Sequence, residues 1–502
     1  MATQLDVFGE EEDMGLLQTH EQPSSSDPLL GSAAGEGEGG HEGGGHQDEA
    51  SRLELLSDAV FSIIATIGIL PVMESLKEED VPEFGNIVYY VYIYMLVFFI
   101  VAVKYRIHCT EFSRAAEVGG VITILNFTYL GLLALYPFLT SLLVEFPDSP
   151  YPPCFNAIIF CCTETVYILL SAVINWSSKL DRRTGRLYVR VTEDTASYKN
   201  FLAAAFLYWL EMIAIGGVMF GIAWFSPALS FSFYLSVPVS HRLFFRLTNL
   251  WNVSRSTAYK SKAGATADPD AENYAKSKRR QRKADFNIER STAFTDGIFA
   301  ISVTLVAVNI RAPEGEESED TATGWEAFEA MLPQFASFVI SFALLTYFWY
   351  WNSILFKCGK AMPVGAFWFN CFSMLFVGLM PAAVEVMFAY EFEGYAMGLA
   401  AFVLLSYSLF QYLTIAAMFA KTEFHKKTVH LTKTKKRLMY TVPLVQGCFG
   451  AVALILSFFG NDIANIFALV LMAVPFLVIS VVFFLVDIRL LDERQPGIRL
   501  KG

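Results

Sequence analysis

The sequence predicts an all-α polytopic membrane protein built from two parallel six-helix transmembrane repeats, and three observations carry that reading. Hydrophobic residues make up 54% of the 502 positions and charged ones only 17%, against about 25% charged in an ordinary soluble domain. The apolar residues are gathered into long blocks, and about twenty of them in a helix span the hydrocarbon core of a bilayer. The two halves of the chain also share a motif. A single soluble globule, a disulfide-rich secreted domain and a nucleic-acid-binding protein are excluded. Backbone groups in lipid must be satisfied within their own segment, so the blocks are read as helices.

The elements follow in order. Residues 1–50 form an acidic tail; twelve acids precede the first base, Arg52. The rest of the chain is balanced, with 37 acids against 37 bases, so the net charge of −12 belongs to the tail. Its run GEGEGGHEGGGH at 35–46 has too little apolar surface to fold and is expected to be disordered. Apolar blocks then fall near 55–73, 87–104, 118–146, 154–176, 200–225 and 227–248, the last two divided by the turn signal Ser226-Pro227. A basic linker occupies 249–289 and includes KSKRRQRK at 276–283. Six further blocks lie near 293–311, 331–355, 362–389, 394–420, 438–459 and 462–487, followed by a tail at 489–502. The seven cysteines show no metal-ligand spacing and read as small hydrophobes. No cofactor or metal is expected.

The bases test this count. Twelve spans with both termini cytosolic place 35 of the 37 Lys and Arg residues on one side, Lys104 and Arg106 among them, and leave only Lys77 and Arg311 opposite. Cytosolic connections are expected to collect bases in this way. The opposite loops, 77–86 and 311–320, are acidic.

Residues 52–66 read RLELLSDAVFSIIAT and residues 290–304 read RSTAFTDGIFAISVT. At an offset of 238, Arg52, Ser57, Asp58, Phe61, Ile63 and Thr66 meet Arg290, Thr295, Asp296, Phe299, Ile301 and Thr304. A second match at an offset of 244 pairs Phe112 with Phe356, Asn126 with Asn370 and Pro137 with Pro381. Six spans per copy is an even number, so the copies share one orientation, and the repeats are assigned to 51–248 and 290–488.

A doubled six-span unit whose first helix opens with Arg-x-x-x-Phe-Ser-Asp resembles the transmembrane protein 175 family of endolysosomal potassium channels. The second copy, Arg290 with Phe294, Thr295 and Asp296, carries Thr for Ser; the first, Arg52 with Leu56, Ser57 and Asp58, carries Leu for Phe. The resemblance implies that two chains assemble, that four copies of the first helix line one pore, and that potassium leaks through it. Vertebrate members also pass protons. One chain supplies two pore helices, too few to enclose a pore while burying their backs, so a homodimer with pseudo-fourfold symmetry is expected.

At 100° per residue, Leu56, Ala59, Ile63, Thr66, Ile67 and Leu70 share one stripe of the first helix, and Phe294, Gly297, Ile301, Thr304, Leu305 and Val308 share its counterpart. From the residues alone the stripe is either core or pore wall. The resemblance implies the second, with a constriction at Ile63 and Ile301 and a second apolar level at Leu70 and Val308. Such a ring of branched apolar side chains gates by dewetting. Thr66 and Thr304 are the candidate polar pore-lining residues. Asp58 and Asp296 lie about 140° from the isoleucines on the wheel. Each needs a partner at membrane depth, and Arg52 or Arg290 is the available cation. A clamp holding the pore helix and a proton-carrying carboxylate both remain open.

Glu164, Glu211, Glu385 and His241 are further polar groups in spans, and Pro137 and Pro381 are expected to kink matching third helices. No TVGYG-like filter, voltage-sensor arginine ladder, phosphate-binding glycine loop or HExxH stands in the sequence, so an enzyme or a nucleotide-driven pump is not indicated. A proton-coupled transporter with two six-helix halves is the alternative, and Gly216-Gly217 is its one candidate broken helix. In the tail, Glu12 with Leu16 and Leu17 has the acidic dileucine spacing that adaptor complexes read. That pattern and the resemblance agree on an endosomal and lysosomal membrane.

Overall fold

Lipid-length apolar segments fold as helices throughout the computed structural model. It describes residues 45–78, 84–113, 115, 119–180, 195–237, 285–308, 310, 324–359, 362–420, 433–459 and 461–473. Ten helices long and apolar enough to cross a membrane occur among the described residues. They correspond to the first five and to the seventh through eleventh blocks of the sequence. The sixth block is described only at its start, as a short helix at Pro227–Ser232 and a 3-10 turn at Phe233–Ser236. The twelfth is described as Asp462–Ala473. The acidic tail to residue 44, with Glu12, Leu16 and Leu17, most of the basic linker, His241 and the C-terminal tail lie outside the described residues.

The first repeat runs through α1 (Gly45–Ile67), α2 (Leu70–Glu78), α3 (Phe84–Phe112), α4 (Gly120–Leu133), α5 (Tyr136–Glu145), α6 (Tyr151–Leu180), α7 (Thr195–Ala223) and α8 (Pro227–Ser232). The second comprises α9 (Ile288–Val308), α10 (Gly324–Cys358), α11 (Val364–Ala389), α12 (Gly394–Phe419), α13 (Lys433–Ser457) and α14 (Asp462–Ala473). A two-residue antiparallel ladder precedes α9 and α11, with Asp285 opposite Pro363 and Phe286 opposite Met362. The described residues form one compact unit.

Several boundaries differ from the expectation. The first helix begins at Gly45, inside the segment assigned to the tail, because Asp48, Glu49 and Ala50 suit the start of a helix in propensity and dipole. It breaks at Gly68-Ile69, before Pro71, whose ring cannot follow an unbroken turn. Leu70 therefore sits beyond a break that a continuous wheel ignores. The third span breaks before Pro137, but Pro381 lies inside the unbroken α11. The second span runs eight residues past the block, so Lys104 and Arg106 lie within α3 and not in a cytosolic connection. Lys104 is buried, as is Arg290 in α9. Gly216 does not mark a broken helix: α7 is continuous there, and a side chain at 216 would strike the Cys161 sulfur on α6.

Packing explains which helix touches which. α11 is the most enclosed of the membrane-length helices, and Phe376, Val377 and Leu379 belong to the main core with Phe61, Tyr94 and Tyr105 of the first repeat. α7 is the least enclosed and leaves Phe206, Leu207 and Trp224 exposed, an apolar surface suited to lipid. α1 and α9 pack directly on each other. Their contacts advance in the same direction along both chains, from Asp58 with Arg290 to Ser62 with Phe294, so the two helices run parallel. Gly297 permits the close crossing: a Cβ there would stand 2.6 Å from Ser62 Oγ. That hydroxyl is already committed to Asp58 O at 2.8 Å and Phe294 O at 2.9 Å, so it has little room to yield.

Gly297→Leu is therefore expected to cost about 1–3 kcal/mol by overpacking this crossing. The thermal unfolding midpoint of the purified protein should fall, while Gly221→Leu, which meets nothing within 4 Å, should leave it nearly unchanged.

Candidate functional site

The Arg–Asp motif of the sequence is joined across the repeats. Arg290, near the start of α9, grips Asp58 of α1: its Nη2 lies 2.5 Å from Oδ1, and its Nε lies 3.2 Å from both carboxylate oxygens. Both side chains are buried. A guanidinium that meets a carboxylate through two nitrogens fixes orientation as well as charge. Tyr105 of α3 closes one side, donating its hydroxyl to Arg290 O at 2.8 Å and stacking on Phe294 with centroids 4.2 Å apart. Asp296 sits differently. It is half-buried and accepts a hydrogen bond from Trp349 Nε1 at 2.8 Å, while Arg52 is exposed. Trp349 occupies the position in the second repeat that Tyr105 occupies in the first.

Next to each aspartate the repeats build the same polar bridge. Asn126 Nδ2 donates to Ser57 Oγ at 3.0 Å, and Asn370 Nδ2 donates to Thr295 Oγ1 at 2.9 Å. Each bond ties the third span to the first. In the first repeat His108 Nε2 adds a 2.8 Å contact to Asn126 Oδ1, and its ring stacks on Phe112. The matching residue of the second repeat, Asn352, turns instead to Phe348 O and Gln411. The matched pair Asn126 and Asn370 was the sequence signal for this bridge; His108, unmatched between the repeats, gave none.

One buried charge pair belongs to the first repeat alone. Lys104 of α3 pairs with Glu164 of α6; both are almost fully enclosed, the ammonium lies 5.1 Å from the Phe160 centroid, and Tyr208 of α7 donates to Glu164 Oε2 at 3.4 Å. The offset of 244 puts Phe348 in place of Lys104, and Phe348 stacks on Tyr407 of α12 with centroids 4.0 Å apart. The buried cation of one repeat is thus replaced by a buried aromatic ring in the other. Glu211 and Glu385 are partly buried, and Glu385 borders a small cleft with Ser337 and Val306.

The predicted stripes fare unequally. On α1, Leu56, Ala59 and Ile63 are exposed, Ile67 is half-exposed, and neighbouring Ile64 is buried; Leu70, the first residue of α2, is half-exposed. Thr66 is the exception: it is fully enclosed, its hydroxyl bonds Ser62 O at 2.5 Å, and its methyl faces the α11 backbone near Gly378. It does not reach the open face, because the crossing with the second repeat claims that side of α1. On α9, Ile301 is half-exposed, and Ala300, Thr304 and Val308 are exposed. Thr304 turns its hydroxyl back to Ile301 O at 2.8 Å. Phe294 and Leu305, placed on this stripe by the wheel, are buried instead.

Two parallel repeats, joined through their first helices and leaving one apolar face of each uncovered, define a duplicated polytopic membrane protein. A family model described as endosomal/lysosomal potassium channel TMEM175 matches residues 52–137 and 290–381, the opening spans of both repeats. Over these spans the chain is similar to the TMEM175 family of potassium and proton channels. It is 26% identical over 380 residues to the endosomal/lysosomal proton channel TMEM175 of Gallus gallus, covering 72% of each chain. It is 28% identical over 145 residues to a potassium channel of Streptomyces collinus, covering 29% of this chain and 65% of the relative. The crystal structure of a lysosomal potassium-selective channel TMEM175 homolog from Chamaesiphon minutus overlays with a TM-score of 0.31 at 19% identity, covering 38% of this chain and 96% of that one.

The Lys104–Glu164 pair yields a stability cycle. Lys104→Met alone should cost about 3–5 kcal/mol, because it strands a buried carboxylate. Lys104→Met with Glu164→Leu, an apolar pair of similar volume, should recover most of that loss. Unfolding midpoints of the purified single and double variants check both.

Proposed function

We propose that this protein is a constitutive potassium-selective leak channel of endosomes and lysosomes, with protons as a second permeant. In this role it sets the membrane potential and luminal pH of the organelle. The family description and the bacterial relative's name support potassium; the name of the Gallus gallus relative supports protons. The ion passes an apolar constriction at Ile63 and Ile301, with Leu70 and Val308 at a second level and Thr304 beside it. Both termini are cytosolic, and Glu12, Leu16 and Leu17 offer adaptor complexes a sorting signal. The domain bounds follow the sequence: repeats at 51–248 and 290–488, the linker at 249–289, and tails at 1–50 and 489–502.

One observation carries the homodimer that this pore requires. At the α1–α9 crossing, Asp58 and Ser62 of one helix bury against Arg290, Phe294 and Gly297 of the other. Their repeat equivalents, Asp296, Ala300, Arg52, Leu56 and Ala59, are exposed or half-exposed. A second crossing of the same kind, between α9 of one chain and α1 of its partner, covers all five and closes a ring of four first helices. The Arg52 side chain of each protomer then meets Asp296 of the other. The aspartates act as clamps in this arrangement, not as proton carriers.

Two measurements test the proposal. In organelle patch-clamp recordings with defined potassium, sodium and proton gradients, Ile63→Asn and Ile301→Asn should raise current several-fold and weaken selectivity. Leu210→Asn, on the outer face of α7, should do neither. Unchanged current in both isoleucine variants counts against the constriction. For assembly, Arg52→Asp should give monomers by light scattering after size exclusion, and adding Asp296→Arg in the same chain should restore dimers. Failure of that swap to restore them removes the Arg52–Asp296 contact.

A further inference from the structure

A cavity of about 1300 Å³ opens far from the uncovered faces of α1 and α9. It lies between α3 of the first repeat and α12, α13 and α14 of the second, at the end of the bundle where α3 begins and the 391–393 turn sits. The charge pattern of the connections assigns that end to the lumen. Its body is apolar, formed by Val91, Leu399, Phe402 and Leu454 among others. Its polar side chains are three carboxylates, Glu391, Glu393 and Asp462, the carboxamide of Asn465, and the hydroxyls of Tyr92, Tyr395 and Ser457. No Lys, Arg or His lines it among the described residues.

Two details point to a ligand. Asn465 is 9% exposed, and its Oδ1 has no hydrogen-bond partner among the described residues. A buried acceptor left without a donor costs roughly 1–3 kcal/mol, and two hydroxyls of this wall are already engaged. Tyr92 shares its hydroxyl with Ser232 at 2.6 Å, and Ser457 bonds Leu454 O at 2.7 Å. Secondly, Glu391 and Phe392 hold the left-handed backbone conformation, at φ 45° and 64°. That region is costly for a bulky non-glycine residue and is kept where the surroundings enforce it. Here Phe392 N bonds Met387 O and Glu393 N bonds Tyr390 O, each at 2.9 Å, and the tight turn sets Glu391 and Glu393 at the mouth of the cavity.

An acceptor-rich mouth over a long apolar body matches a molecule with a hydrogen-bond-donating cation at one end and hydrocarbon behind it. The volume exceeds the range of roughly 300–1,000 Å³ that ordinary small ligands fill. We propose that the cavity is a binding site for long-chain amines. The ammonium is taken by Glu391, Glu393, Asp462 and the Asn465 carboxamide, and the alkyl chain lies along Val91, Leu399 and Phe402. Zwitterionic phospholipid fits it less well, because the phosphate would face the carboxylates.

Native mass spectrometry of the purified protein in phosphatidylcholine nanodiscs, with dodecylamine and its neutral counterpart dodecanol as probes, tests the site without measuring current. Dodecylamine should bind about tenfold more tightly than dodecanol, the scale of a charge-assisted hydrogen bond. Glu391→Gln with Glu393→Gln, both on the exposed turn, should remove that preference while leaving dodecanol binding unchanged. Leu399→Trp should weaken both probes by filling the apolar body. Equal binding of amine and alcohol, or a Gln variant that keeps the preference, would overturn the proposal and leave an apolar crevice filled by acyl chains. Because the readout is binding, a failed conductance test does not affect it.

Discussion

Two opposite charges held away from water, Asp58 on α1 and Arg290 on α9, tie one repeat to the other, and much of the surrounding arrangement serves to keep them paired. Either charge alone would be expensive at this depth, and breaking such a pair costs more than forming it contributes. The helices must therefore approach closely, which Gly297 and the doubly bonded Ser62 hydroxyl permit. They must also be held in rotation, which Tyr105 and the Ser57–Asn126 bridge achieve from α3 and α4. The interaction serves geometry more than stability. It decides which face of each first helix is buried and, by exclusion, which is left open.

The repeats keep this scaffold and differ elsewhere. The asparagine bridge to Ser57 or Thr295 is common to both, whereas Lys104, paired with Glu164, gives way to Phe348, stacked on Tyr407, in the second copy. A buried ion pair and a stacked aromatic pair fill similar space but answer differently to a lost partner. The halves of the chain are therefore expected to be unequal in their response to substitution, although they share one motif and one layout. Thr66 and Thr304 illustrate the same divergence: the matched threonines lie one in the core and one at the surface.

The linear pattern made much of the fold legible. Block length predicted the ten described spans, the offset of 238 predicted two copies in one orientation, and the spacing of Arg, Ser and Asp located the motif that the family model also matches. The wheel put Leu56, Ala59 and Ile63 on one open face, and they are exposed together. It failed at Thr66 and Phe294, where the crossing of α1 and α9 takes residues that an isolated helix would assign to the open stripe. The same calculation passed over the break at Gly68. Counting bases by connection likewise mistook Lys104 for a loop residue, since a lysine with a buried carboxylate partner leaves no mark in hydropathy.

By itself the sequence determined the membrane fold, the duplication and the position of the charged motif. These are properties of composition and period, which the bilayer enforces on any segment of such length and polarity. Only the tertiary structure decided that Asp58 answers to Arg290 and not to Arg52, six positions away on its own helix. It also decided that Lys104 finds Glu164, and that a long apolar cavity closes between α3 and the last helices of the second repeat. Those pairings join residues separated by 60 to more than 200 positions. Their energies depend on burial and distance, which exist only once the helices have packed.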